Sequence, residues 1–188
     1  VALVVRHPTL RGLALGYALN LVTWGILVVV VPVALARHYP PGTWESVSGA
    51  LWAGAGVAGA AGALAAGRTV RPGREVATMA LCMAATALAV WPLAALGGVA
   101  GLGLGLALTG LLAGPIDVSV LTLRQRRTDP ALLGRVMAVS MSLNLAGFPI
   151  GAAMGGMLAA WSLPAAFAVA ALASLLAAAT TYRLIPDQ

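Results

Sequence analysis

The stretch Leu123-Arg-Gln-Arg-Arg-Thr-Asp-Pro-Ala-Leu-Leu-Gly-Arg135, continued by an apolar run and then by Asn144-Leu-Ala-Gly-Phe-Pro-Ile-Gly-Ala-Ala-Met-Gly-Gly156, decides the fold. Its first part is a basic turn broken by Pro130 and Gly134. Its second part is apolar, with glycines at 147, 151 and 155. In a helix each glycine costs about 1 kcal/mol against alanine. Such a run holds as a helix where neighbouring helices press closely against its small residues. A basic turn leading into it marks a chain that meets anionic headgroups and then enters a bilayer.

The rest of the chain has the same texture. Of 188 residues, 61% are hydrophobic and 9% charged, and the mean hydropathy is +0.96. A soluble domain carries about 25% charged residues. Apolar runs of about 20 residues, the length a helix needs to cross the hydrocarbon core, recur throughout. They are continuous rather than alternating, which excludes a barrel. The expected class is an all-α integral membrane protein, a single six-helix bundle over 1–188. Its spans lie at about 10–36, 44–66, 76–96, 99–123, 135–160 and 165–184. Thr43 or Ser46 is a suitable cap for the second helix. Position 1 is Val rather than Met, which reads as a cropped or processed chain.

Charge placement tests that count. All eleven basic residues are Arg, and the net charge is +6. With six spans, Arg6, Arg11, Arg68, Arg71, Arg74, Arg124, Arg126, Arg127, Arg135 and Arg183 share one side, and Arg37 alone lies opposite. By the positive-inside rule that side is cytoplasmic, with both termini on it, in a plasma (inner) membrane. The arginines sit in short breaks, not along a polar face, so nucleic acid is not an expected partner. Lipid is. Spans two and five are the glycine-rich middles of two triplets, and an odd number of spans per triplet makes the halves inverted. Gly147, Gly151, Gly155 and Gly156, with Pro149, form the expected packing seam of span five.

The Arg-rich turn with Thr-Asp-Pro-Ala-Leu-Leu-Gly-Arg135 and the Asn144–Gly156 segment resemble the tenth and eleventh helices of a major facilitator superfamily transporter. The Gly147–Gly156 segment is also similar to that family's Gly/Pro-rich antiporter motif. The turn Gly62-Ala-Leu-Ala-Ala-Gly-Arg68, with Arg71 and Arg74, resembles a degenerate copy of the family's loop motif. It lacks the acidic residue expected near Ala66. The resemblance implies the C-terminal six-helix half of a bacterial efflux-type carrier. An N-terminal six-helix half, on the same chain or on a second subunit, is then the implied partner.

In that family the first, second, fourth and fifth helices of each half border the substrate cavity. Read onto this sequence, the cavity candidates are Tyr17, Asn20, Thr23 and Trp24 on span one, Thr109 on span four, and Ser140 and Asn144 on span five. Polar groups at such depths need partners, so hydrogen bonding between helices is an equal reading of each. Asp117 is the one acidic residue well inside a span. A carboxyl group there can exchange a proton and couple transport to it, or it can pair with Arg124 or Arg127 in a cytoplasmic gate. The basic turns offer Arg68, Arg71, Arg74, Arg124, Arg126, Arg127 and Arg135 as loop-motif residues.

Enzyme chemistry finds little support. His7 and His38 lie at span ends, and no nucleophile–base pair or metal-binding motif is present. No catalytic residue, metal or cofactor is therefore expected. The expected activity is secondary transport of a small amphipathic solute, outward and by proton exchange. Two other readings stay open: a six-span membrane protein acting as an assembly or interaction partner, and a half-size carrier working as a homodimer.

Overall fold

The computed structural model describes residues 8–95, 98–128 and 133–185, and they are almost wholly helical. In order the helices are α1 (Pro8–Ala36), α2 (Thr43–Thr69), α3 (Glu75–Ala95), α4 (Gly98–Arg126), α5 (Leu133–Leu145), α6 (Gly147–Trp161) and α7 (Leu163–Leu184). Helices α5 and α6 make one crossing between them, so six segments of 19 to 29 residues are long and apolar enough to span a membrane. That is the all-α, six-span class expected from the sequence. Arg6, His7, Gly97 and the Asp129–Leu132 part of the basic turn lie outside the described residues, as does the side chain of Arg135.

Local chemistry explains two departures from expectation. The fifth crossing is two helices where one was expected. Pro149 has no N–H to give the Leu145 carbonyl four residues back, and α5 ends at Leu145. Ala146 joins the pieces at φ −59°, ψ −27°, so the break is local. At the start of α2, neither Thr43 nor Ser46 caps through its side-chain oxygen. Glu45 does so, its Oε2 accepting from the Gly42 N–H at 2.6 Å, while Gly42 turns the chain at φ +88°.

The apolar core lies among α1, α3, α4 and α7. Leu13 of α1, Met79 and Met83 of α3, Ile116 and Val120 of α4, and Ala177 of α7 fill one part of it. Ile26, Leu27, Leu106 and Phe167 belong to the other. Helices α2 and α6 instead bury only narrow stripes: Ser48, Ala55, Gly62 and Ala66 in one, Gly147, Gly151, Gly155 and Ala159 in the other.

The main helix pairs are α2 with α4, α1 with α6, α1 with α7, α3 with α4, and α3 with α7. Exchanging the first three crossings for the last three maps this set onto itself. Two three-helix units, inverted because each holds an odd number of crossings, produce that pattern. The seams match as well. A Cβ at Gly110 would strike the Ala55 carbonyl of α2, and one at Gly62 would strike the Leu111 carbonyl of α4. In the other unit, a Cβ at Gly147 or Gly151 would strike the Ala18 or Val22 carbonyl of α1. Pro115 cannot bond to the Leu111 carbonyl, which is the group that Gly62 accommodates. Gly156 does not join the seam: it is exposed, and a Cβ there would meet nothing within 4 Å.

One end of the bundle collects the start of α1, the α2–α3 turn, the end of α4 and the end of α7. There Arg127 Nη1 donates to Thr9 Oγ1 at 2.8 Å, and Arg126 Nη1 pairs with Glu75 Oε1 at 2.8 Å. Gly12 packs against Leu184 and Ile185. At the other end Arg37 Nη2 donates to the Ala159 carbonyl at 2.6 Å, closing the last turn of α6.

Candidate functional site

The helices that flank the core leave one face of the bundle open. Two depressions lie on it, of about 390 and 320 Å³. The larger is bordered by α1, α2, α4 and α6, the smaller by α1, α4 and α5. They share Tyr17, Leu21 and Asp117. At that shared border the Tyr17 hydroxyl donates to Asp117 Oδ1 at 2.6 Å. This is the short O–H···O geometry expected of a carboxylate acceptor.

The helical period sorts the candidates. Tyr17, Asn20 and Trp24 lie within about 60° of one another around α1, at 3.6 residues per turn, and all three line the larger depression. Thr23 is about 100° round from Trp24. It is fully buried on the other side, where its hydroxyl donates to the Ala170 carbonyl of α7 at 3.0 Å. Thr109 is also buried, its hydroxyl returned to the Gly105 carbonyl of its own helix at 2.8 Å. Ser140 is buried and borders neither depression. Thr23, Thr109 and Ser140 are thus buried among the helices and border neither depression. Trp52 of α2 faces Trp24 with ring centroids 6.0 Å apart and planes at 43°.

Among the described residues, Asp117 meets no arginine within ion-pair distance. The sequence suggested Arg124 or Arg127, but among the described residues the carboxylate bonds to Tyr17. Arg124 lies seven residues on, about 10 Å of helix rise, and only 1% of it is exposed. Its partner is Asn144. In the amide orientation that satisfies both ends, Asn144 Oδ1 accepts from Arg124 Nη2 at 2.8 Å. The Asn144 nitrogen then donates to the carbonyls of Ser140 at 3.1 Å and Ala14 at 3.3 Å. The three arginines of the turn thus reach three different elements: Arg124 to α5, Arg126 to α3, Arg127 to α1. Arg68, Arg71 and Arg74 are exposed at the α2–α3 turn.

Sequence reasoning missed Phe148 as a lining residue, and it missed Glu75 as the partner of Arg126. Glu75 opens α3 beside a basic turn, a visible signal. Phe148 carried none, since only the α5–α6 break and the close seam on α1 bring it to the open face. Among the described residues, no three His, Cys, Asp or Glu side chains are grouped as metal ligands.

No family model matches the chain, and no solved structure matches it. It is 51% identical, over its whole length, to an uncharacterized MFS-type transporter of Sinorhizobium fredii. The chain spans about half the length of that curated relative, 46% of it. The chain is thus similar over its whole length to about half of an MFS-type transporter, and its six crossings are consistent with one half of such a protein.

Proposed function

We propose that this chain is the C-terminal half of a secondary transporter that moves a small amphipathic solute by alternating access, with proton-coupled efflux as its direction and drive. The observation that carries this reading is the open face. Four crossings line it, two depressions meet there at a carboxylate, and the apolar core lies behind. A second six-span half, from the same chain or another subunit, would close the face and complete a path between two rocking bundles. The arginine-rich end is the cytoplasmic one on this reading, with both termini there, in a plasma membrane. Asp117 is the proton-coupling group.

A direct test needs no knowledge of the solute. Gly56 lines the larger depression, and a Cβ there meets nothing within 4 Å. Gly56→Cys in a Cys82→Ser background places one thiol in the path of the complete protein. Alternating access predicts labelling by a membrane-impermeant maleimide from either side of sealed vesicles. Labelling from neither side, or from one side only under every condition, would favour the interaction-partner reading and overturn this one.

A further inference from the structure

The larger depression has a one-sided chemistry. Four aromatic side chains border it: Tyr17, Trp24, Trp52 and Phe148. Among the described residues, Asp117 is its only charged lining residue, and no arginine lines it. The carboxylate is exposed on the open face, and Tyr17 occupies its Oδ1. Asn20 lines the same depression, is 3% exposed, and its Oδ1 is buried with no hydrogen-bond partner. A buried acceptor left unpaired is destabilising, so an N–H that reached it from a ligand would satisfy it. Aromatic faces attract a cation through their quadrupole. The pair Trp24 and Trp52, tilted at 43°, also offers ring surface for a planar group.

From this we infer that the larger depression binds a protonated aromatic amine. Its ring lies against Trp24 and Trp52, and its ammonium lies between Asp117 and the unpaired oxygen of Asn20. The inference rests on the transporter reading and names the substrate class for it. An ammonium with N–H donors suits the site better than a quaternary cation, because two acceptors wait there. A carboxylate ligand is disfavoured, because it would face Asp117 with no cation beside it in the lining. The volume of about 390 Å³ suits a ligand of one or two rings.

The test is binding to the complete protein in detergent, read by calorimetry and tryptophan fluorescence. Three probes share a phenyl ring and a short chain: phenethylamine, 2-phenylethanol and 3-phenylpropionate. The amine should bind at least tenfold more tightly than the alcohol, and the acid should bind weakest. Asp117→Asn should erase the preference of amine over alcohol, whereas Asp117→Glu should keep most of it. Trp52→Leu should weaken all three probes together. Equal binding of amine and alcohol would overturn the inference, as would tighter binding of the acid, which would point to Arg124 instead. Amine-selective binding without transport would leave the site standing and remove the transporter reading. Labelling of Gly56→Cys from both sides without amine selectivity would do the reverse.

Discussion

The Tyr17 hydroxyl reaches Asp117 Oδ1 at 2.6 Å, joining α1 to α4 across the open face. These two helices hold equivalent places in the inverted triplets, so the bond ties one repeat to the other where the two depressions meet. Hydrogen bonds to a charged group contribute about 1.5–3 kcal/mol. Breaking this one would free the carboxylate without leaving either group sealed in the core.

Asp117→Asn in the complete protein keeps an acceptor for Tyr17 but removes the titrating group. If Asp117 couples protons, the variant's transport rate becomes flat across pH while the parent's varies. Tyr17→Phe should retain a pH dependence, displaced along the pH axis, because the carboxylate survives without its donor. Transport assays in vesicles buffered from pH 5.5 to about 8.5 span the range in which a perturbed carboxyl can titrate. An Asp117→Asn profile that overlays the parent's would end the coupling role.

The glycine seams permit a sharper contrast. At Gly151 and Gly114 an added Cβ would strike backbone, the Val22 carbonyl in one case and the Ala63 amide in the other. Backbone cannot rotate out of the way as a side chain can. Gly151→Ala and Gly114→Ala should therefore each destabilise by about 1–3 kcal/mol, the usual cost of overpacking. At Gly54 and Gly156 a Cβ meets nothing within 4 Å. Alanine there should be neutral, or stabilising by up to about 1 kcal/mol through helix propensity. Thermal unfolding in detergent separates the two classes, and equal effects at all four positions would refute the seam geometry.

Much of this fold is legible in sequence because lipid imposes coarse rules. Run length gives the crossings, arginine placement gives the side they share, and glycine spacing gives the seams. Finer features depend on angles that no run length contains. Thr23 follows Asn20 by three residues and precedes Trp24 by one, yet it faces α7 while both of those face the depression. Asn144 reads as a cavity residue and does line the smaller depression, but its amide is committed to Arg124. Asp117 offered two arginines as partners in sequence and found a phenol across the bundle, because helix crossing sets which side chains meet.

The ion pair at the arginine-rich end is asymmetric. The Arg126 side chain is 53% exposed, whereas that of Glu75 is 5% exposed. Exposed pairs contribute little, about 0–1 kcal/mol, but removing the exposed partner strands a buried carboxylate. Arg126→Ala should therefore cost more than Glu75→Gln, which leaves a neutral amide that can still accept from the guanidinium. Glu75 also opens α3, where a negative charge favours the helix dipole by about 0.3–1 kcal/mol. Unfolding in detergent at low and high salt should show the Arg126→Ala loss persisting in salt. A larger loss for Glu75→Gln would refute this ordering.

Arg124 poses the opposite case, a buried cation at the edge of the smaller depression, held by a neutral amide. It is 1% exposed, its Nε has no partner, and Asn144 takes Nη2. Asn144→Leu would leave the guanidinium without that acceptor, while the Ser140 and Ala14 carbonyls keep their helical N–H donors. A loss of about 3–5 kcal/mol is expected, the range for breaking one side of a buried charged interaction. Arg124→Met keeps the side-chain volume and removes the charge, so it should cost less than Asn144→Leu. The double variant should be more stable than Asn144→Leu alone, because an apolar pair has no unpaired charge to bury. That sign in a double-mutant cycle distinguishes a positioned arginine from one that is merely packed. Simple additivity of the two losses would show that Asn144 does not hold Arg124.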